Sequence, residues 1–465
     1  MSESFESASR HSRSSRPGKP PRGSARKPHG RSPEGPRERR PEEGVSTRWV
    51  QRPLSPDPTA PLPAVFAKSV GRHPILYRKR IERVDPGTRA GDLVAVYDLD
   101  ERLMGYGLFN TKSEMAVRMV RFEPDLPDDA FWQERLENAV RLRREALRLD
   151  ETANAYRVIH AEADGFPGLV VDRLGDVLSA EAFTPGMFQR GQEILSLLQP
   201  LCGTSHTVLR CSPQSESQEG FVAPPISSPQ APGRVTIQEF GTRFRVMFEG
   251  GHKTGFFCDQ RDNRRLLAGF CRGKTVLDLC CYTGGFAVQA KVLGQAEEVT
   301  GVDLDESPLG LARENANLNQ ARVKFVQADA FGWMREALRH GKRYDVVVLD
   351  PPKLIRNRGE LEEGTRRHFD LNRLAMQLVS PGGILLSCSC AGLLGDEEFV
   401  RLLCSAARQA GAPLEGTAEE GETMSRRHGP REMQILFRTG AAPDHPVSSE
   451  CRETEYLKAV WMRLT

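Results

Sequence analysis

Gly273-Lys274-Thr275-Val276-Leu277-Asp278-Leu279-Cys280-Cys281-Tyr282-Thr283-Gly284-Gly285-Phe286 is the stretch on which the fold turns. Val276 and Leu277 make a short apolar run suited to a buried parallel strand. Gly284 and Gly285 let the chain turn sharply and approach a ligand with no Cβ in the way. Phe286-Ala287-Val288-Gln289-Ala290 then opens a helix whose first amides face that ligand. A second strand, Val299-Thr300-Gly301-Val302, ends in Asp303, an acid about 20 residues past the glycines, the position that suits a ribose diol. The G-x-G-x-x-G turn that cradles a dinucleotide pyrophosphate is absent, and Asp278 stands where a phosphate would be repelled. A sulfonium cofactor carries no phosphate, and the ammonium of its amino-acid end suits Asp278. The chemistry therefore favours S-adenosylmethionine over a nicotinamide dinucleotide.

Downstream, Val323-Lys324-Phe325-Val326 reads as a third strand and leads to Asp329, placed to meet an adenine amino group. The fourth strand, Tyr344 to Leu349, delivers Asp350 to the C-terminal edge of the sheet, where open α/β sheets bind their ligands. Pro351 and Pro352 stiffen the turn, so that Lys353 is held near the substrate. The fifth strand, Ile384 to Ser387, runs into Cys388-Ser389-Cys390-Ala391-Gly392. A thiol at a strand end beside the cofactor suits covalent catalysis. Cytosine C5 is a poor nucleophile until a thiolate adds at C6, and a carboxyl group protonating N3 helps that addition; Cys390 and Asp350 have this chemistry. A buried structural cysteine is the plainer reading of the same residue.

Upstream, the stretch from Gly250 to Arg264 sets glycines, a Lys and an Arg among Phe256 and Phe257. Aromatic faces with interleaved cations suit an adenine or a flipped base; a domain joint with both rings simply buried is the alternative. The expected cofactor set is Asp278, Tyr282, Gly284, Gly285, Asp303, Asp329, Asp350, Phe257 and Gln260, and the expected catalytic set Cys390, Asp350 and Lys353. No metal is expected, because the 10 cysteines show no C-x-x-C pairs repeated at zinc spacing.

A chain of 465 residues is long enough for about three domains. Residues 1–62, rich in Ser, Arg, Pro and Gly, read as a disordered basic tail: either solvated or a salt-sensitive arm for an anionic polymer. Residues 63–124 read as a small β-rich domain with strands at Leu93–Tyr97, Leu103–Phe109 and Ala116–Phe122. Arg72, Arg78, Lys79, Arg80 and Arg83 cluster there, as a solvated face or one suited to an RNA backbone. Residues 125–242 read as a central α+β domain. It has a helix over 125–150 with Arg141, Arg143, Arg144 and Arg148 off its apolar face, a hairpin turning at Gly165-Phe166-Pro167-Gly168, a helix over 186–199 and a surface loop over 212–233. Residues 243–465 hold the cofactor domain. The net charge of +3 discriminates little, and the lack of a signal peptide or long apolar run predicts a cytoplasmic protein with reduced thiols and no membrane partner.

The chain resembles the bacterial 23S ribosomal RNA methyltransferases that make 5-methylcytosine and carry an N-terminal PUA RNA-binding domain. The resemblance covers about residues 64–465. It rests on Arg72-His73-Pro74, on Ala163-Asp164-Gly165-Phe166-Pro167-Gly168 with Asp172-Arg173, and on Gly250-Gly251-His252-Lys253-Thr254-Gly255 with Asp259-Gln260-Arg261. Asp350-Pro351-Pro352-Lys353, the Ser389-Cys390 element with Gly392-Leu393, and Asp444-His445-Pro446-Val447 with Tyr456-Leu457-Lys458 complete it. It implies an α/β protein with a PUA-like small β-barrel, a central α+β domain and a Rossmann-like class I methyltransferase domain that uses S-adenosylmethionine. It further implies Cys390 as nucleophile, with Cys388 a core neighbour, and C5 of a cytosine in large-subunit rRNA or a subunit precursor as target. Two departures stand out: Ala391 replaces the more usual Ser, and Cys280-Cys281-Tyr282-Thr283 replaces a more frequent Phe-containing turn. A guanine N-methyltransferase, which needs no thiol, and a non-catalytic RNA-binding ribosome assembly factor remain alternatives, and a homodimer is left open. RNA contacts by the PUA-like domain and the arginine-bearing helix are expected to weaken steeply with salt.

Overall fold

From Thr275 to Leu464 short apolar strands alternate with helices, and the strands build one seven-stranded sheet. In chain order they are β1 (Thr275–Leu279), β2 (Glu298–Asp303), β3 (Lys324–Gln327), β4 (Tyr344–Leu349), β5 (Val379–Ser389), β6 (Met433–Thr439) and β7 (Lys458–Leu464). Their spatial order is β3-β2-β1-β4-β5-β7-β6. The first five run parallel, and β7 inserts antiparallel between β5 and β6. Parallel strands covered by helices on both faces lose water from both faces, and Val276, Leu277, Val346, Val347, Val348 and Leu349 are all buried. The strand order reverses between β1 and β4, which opens a crevice at their C-terminal ends, the place where such sheets bind ligands. The β6–β7 hairpin has no counterpart in the sequence reading, which stops at five strands; its signal is the apolar run Ala459-Val460-Trp461-Met462, all buried.

The computed structural model describes residues 51–248, 254–410 and 430–465. Residues 1–50 of the predicted tail and the Gly250-Gly251-His252-Lys253 part of the glycine-rich motif lie outside the described residues; residues 51–62 depart from the tail expectation, because Leu54 is buried in the central core and its amide donates to Glu193 at 2.7 Å. Between Ala64 and Arg121 six strands form one sheet whose core is Val65, Val94, Val96, Phe109, Val117 and Met119. A five-stranded sheet follows between Ala155 and Ser227, packed by the helices Asp129–Arg141 and Pro185–Cys202. The hairpin Arg234–Glu239/Thr242–Met247 then joins that sheet to the seven-stranded one. Its Ile237, Phe244 and Val246 are buried with Ala155, Leu174 and Val177 on one side and Val288 and Ala316 on the other. No helix among the described residues is long and apolar enough to cross a membrane.

Three expectations need correction. The helix placed over 125–150 spans only Asp129–Arg141; the Asp128 carboxylate caps it by accepting the Phe131 amide at 2.9 Å, and a π-type turn at Leu142–Ala146 follows. Arg143, read as off the apolar face, is fully buried, donating to both oxygens of Asp164 at 2.7 and 2.8 Å and to the Asp444 carbonyl at 2.7 Å. Arg144 and Arg148 pair with Asp150 and Glu151, so this helix does not present a free row of arginines. The loop placed over 212–233 contains a short helix, Ser215–Glu219, whose buried Glu219 accepts from Arg118 at 2.7 Å and Asn110 at 2.8 Å. A segment that composition marks as surface thus ties the N-terminal sheet to the central one.

Candidate active site

The crevice is lined by what the ends of β1 to β5 deliver. Asp278 sits next to last in β1, fully buried. Its Oδ2 accepts the Ala287 amide at 2.9 Å from the helix Gly285–Val292, while its Oδ1 is buried with no partner. Burial pushes this carboxyl well above the ordinary range; the Ala287 amide works against the rise, and Asp350 and Asp303 add to it. A carboxylate with an open, desolvated oxygen is satisfied by a cation, which is what the ammonium of S-adenosylmethionine supplies.

The turn after β1, beside Asp278, is strained. Cys280 and Tyr282 adopt left-handed φ values of 62° and 49°, and Gly284 one of 77°. A Cβ at Gly284 would come 3.0 Å from the Phe325 ring and 3.2 Å from Ala312, so glycine is required there twice over. Asp303 at the end of β2 fastens the turn: its Oδ2 accepts the Tyr282 amide at 2.8 Å and its Oδ1 the Asp305 amide at 3.1 Å. Each of these oxygens keeps a second lone pair for a ribose hydroxyl. Phe257 packs edge-on against Tyr282, ring centroids 5.2 Å apart. Phe256, by contrast, is buried against Phe244 at 5.4 Å beneath the Arg264 guanidinium and belongs to the packing. Asp329 caps the helix Ala330–Arg339 through the Gly332 amide at 2.8 Å and stays exposed after β3.

Asp350 follows β4, and its Oδ2 accepts the Gln260 side-chain amide at 3.0 Å. Gln260 in turn accepts from Asn263 at 2.7 Å, which fixes its orientation. Lys353 stands exposed beyond the two prolines. On the neighbouring strand β5, Cys388 is fully buried, its thiol pushed well up by burial and then by Asp350. Cys390, just past the end of β5, is half-buried. Ser389 and Lys458, both in motifs named above, and His368, absent from the sequence reading, support that loop. Ser389 Oγ accepts the Ala391 amide at 3.4 Å and lies 3.3 Å from His368 Nε2, and Lys458 in β7 is the register partner of Ser389. Burial and then Lys458 push His368 down to about 4, so its ring is neutral at physiological pH. The spacing of His368 and Asn372, one helical turn apart on the face toward β5, is the signal that could have found them.

The remaining motifs meet away from the crevice in a buried ion-pair hub. Arg261 donates to both oxygens of Asp444 at 3.0 Å, Arg157 to both of Asp172 at 2.5 and 3.2 Å, and Arg264 to both of Glu239 at 3.0 and 2.7 Å. Thr254 donates its hydroxyl to Asp172, and Tyr456 its hydroxyl to Asp259 at 2.5 Å. Burial opposes the charge of Asp444, yet His445 and Arg261 hold its carboxyl far below the ordinary range. The hub joins the central sheet to the catalytic one and holds Gln260 where it meets Asp350.

A reversed-hairpin parallel sheet with an acid-lined cup and a half-buried thiol defines an S-adenosylmethionine-dependent methyltransferase, here preceded by a PUA-like domain. The S-adenosylmethionine-dependent methyltransferase family model matches residues 226–415, and the PUA-like domain model residues 67–122. Proteins named ribosomal RNA large subunit methyltransferase I are similar along most of the chain. The one from Tolumonas auensis is 36% identical over 84% of this chain and 95% of its own length; that from Salmonella paratyphi C is 31% identical over 84% and 94%. The chain belongs to the ribosomal RNA large subunit methyltransferase I family. Two solved structures share the fold: a putative S-adenosylmethionine-dependent methyltransferase from Streptococcus mutans (TM-score 0.67, 19% identity) and a putative methyltransferase complexed with SAH (TM-score 0.69, 20% identity). Each covers 86% of this chain and 99% of the other. The cofactor is S-adenosylmethionine.

Proposed function

We propose that this protein methylates C5 of a cytosine in large-subunit ribosomal RNA through a covalent Cys390 adduct. The observation that carries the reading is the pairing of strand ends: Cys390, half-buried, follows β5, and Asp350 follows the adjacent β4. The relatives' names point to large-subunit rRNA as substrate. The Cys390 thiolate attacks C6 of the flipped base while the Asp350 carboxyl protonates N3, which leaves C5 nucleophilic. Bound S-adenosylmethionine supplies the electrophilic methyl group. Removal of the C5 proton by a base then re-forms the C5–C6 double bond and expels the thiolate, and the N3 proton returns to Asp350. Lys353 orients the target nucleotide. Asp278, Tyr282, Gly284, Gly285, Asp303, Asp329, Asp350, Phe257 and Gln260 form the cofactor pocket. The working parts are a PUA-like RNA-binding domain at 63–124, a central domain at 125–242 and the methyltransferase domain at 243–465.

The test is mass spectrometry of nucleosides from large-subunit rRNA after incubation with the protein and methyl-labelled S-adenosylmethionine. Label in 5-methylcytidine is expected; label in a methylguanosine would overturn the reading. Cys390→Ala is expected to lower the rate on the order of a thousandfold or more, the scale for removing a nucleophile. Full activity in that variant would exclude the adduct.

A further inference from the structure

A cavity of about 400 Å³ opens between the N-terminal sheet, the helix Asp129–Arg141, the turn at Gly165 and the segment around Glu450. No residue of the methyl-donor cup lines it. Two of its carboxylates are already neutralised: Glu162 by Arg118 at 3.5 Å and Asp164 by Arg143 at 2.7 Å. Two of its guanidiniums are not. Arg72 is exposed and, among the described residues, has no hydrogen-bonding or ionic partner. Arg135 is half-buried and likewise has no acceptor; its guanidinium lies 4.4 Å from the centre of the Phe131 ring. Burial lowers the basicity of Arg135, with Glu123 acting the other way. Gly165, at φ 77°, makes room for it: a Cβ there would fall 1.3 Å from Arg135 Nη1. The one exposed carboxylate on the wall, Glu450, leaves the cations in excess.

A half-buried guanidinium without an acceptor in the chain has its donors open to a ligand, and a planar fork matches a phosphate with two parallel hydrogen bonds. The cavity is in the range that small ligands occupy, and Met119 and Phe122 give it apolar wall as well. We infer that this cavity is a second RNA subsite, remote from the target base, in which Arg135 and Arg72 grip one backbone phosphate of the substrate strand and the adjoining nucleoside rests on Met119 and Phe122. The inference rests on the rRNA reading above and names a contact other than those first expected of Arg141, Arg143, Arg144 and Arg148, of which Arg143 is saturated inside the fold.

The experiment measures binding of a labelled large-subunit rRNA fragment to the full chain by fluorescence anisotropy across a salt series. The variants are Arg135→Gln, Arg135→Lys and, as a paired surface control, Arg148→Gln. Arg135→Gln is expected to weaken binding about tenfold and to reduce the slope of log affinity against log salt by about one, the signature of one lost phosphate contact. Arg135→Lys should keep the slope and lose part of the affinity, Arg148→Gln should match wild type, and S-adenosylmethionine calorimetry should be equal in all four proteins. Unchanged affinity and slope in Arg135→Gln overturn the inference, even if wild type methylates cytosine. A lowered slope in a protein that labels no cytosine supports the subsite and sinks the cytosine-C5 reading instead. If inorganic phosphate stabilises wild type but not Arg135→Gln, while RNA slopes agree, the cavity holds a free anion and the inference fails. A wild type that binds no RNA overturns both.

Discussion

At the hub, Asp444 meets Arg261 with two contacts of 3.0 Å and also accepts the Arg157 amide at 2.8 Å. In the cup, Asp278 has one amide on one oxygen and nothing on the other. Both carboxylates are fully buried, and burial presses both toward the neutral form. The hub reverses that pressure with His445 and the Arg261 guanidinium and drives the carboxyl far down; the cup leaves it unanswered, adds two more acids, and the carboxyl rises. A buried charge whose partner is in the chain belongs to the fold, and a buried charge whose partner is missing from the chain waits for a ligand. The same distinction separates Arg143, saturated by Asp164 and Asp444, from Arg135 in the cavity wall, which has no acceptor among the described residues.

Breaking the hub gives the largest effect. Asp444→Ala strands Arg261 in the interior and should cost about 3–5 kcal/mol of unfolding free energy, the scale for removing one partner of a buried pair. Urea unfolding measures it; a loss under about 1 kcal/mol would mean the hub contributes little beyond packing. Asp278→Asn should do the converse. The apo protein should unfold no more easily than wild type, because an uncompensated acid has been removed. Affinity for S-adenosylmethionine should fall by about 1–3 kcal/mol, the cost of losing a charged hydrogen bond. A variant that loses stability and keeps affinity would place Asp278 with the hub. The smallest effect belongs to Arg148→Ala, whose exposed pair with Glu151 should be worth less than about 1 kcal/mol in the same unfolding assay.

Much of the cup was legible in the sequence, because buried parallel strands leave apolar runs and the residue after each run falls at the ligand edge. Asp278, Asp303, Asp329, Asp350 and Cys390 are all at or just past such ends. The hub was not legible as a hub. Arg143 meets a carbonyl 301 positions away, and Arg261 a carboxylate 183 positions away, separations that no local pattern encodes. On helical spacing alone Arg143 looked solvated, although the Asp164 it binds lies in a motif already singled out. Phe256 and Phe257 show the same limit: adjacent aromatic residues divide, one packed under Arg264 and one against the cup residue Tyr282.

The central claim is that Asp278 is held for a cation, and pH tests it directly. Unfolded, the carboxyl titrates near 3.8; folded, it keeps its proton to higher pH. The apo protein therefore loses stability as pH rises between the two values, while the ammonium of the cofactor favours the ionised form and gains affinity over the same window. Titration calorimetry of S-adenosylmethionine into wild type and Asp278→Asn, from about pH 5 to about pH 9, the range that buried carboxyls reach, reads this out. The account predicts that wild-type affinity climbs with pH and that the variant binds more weakly with a flatter profile. An Asp278→Asn protein that binds as tightly as wild type with the same pH profile would contradict it.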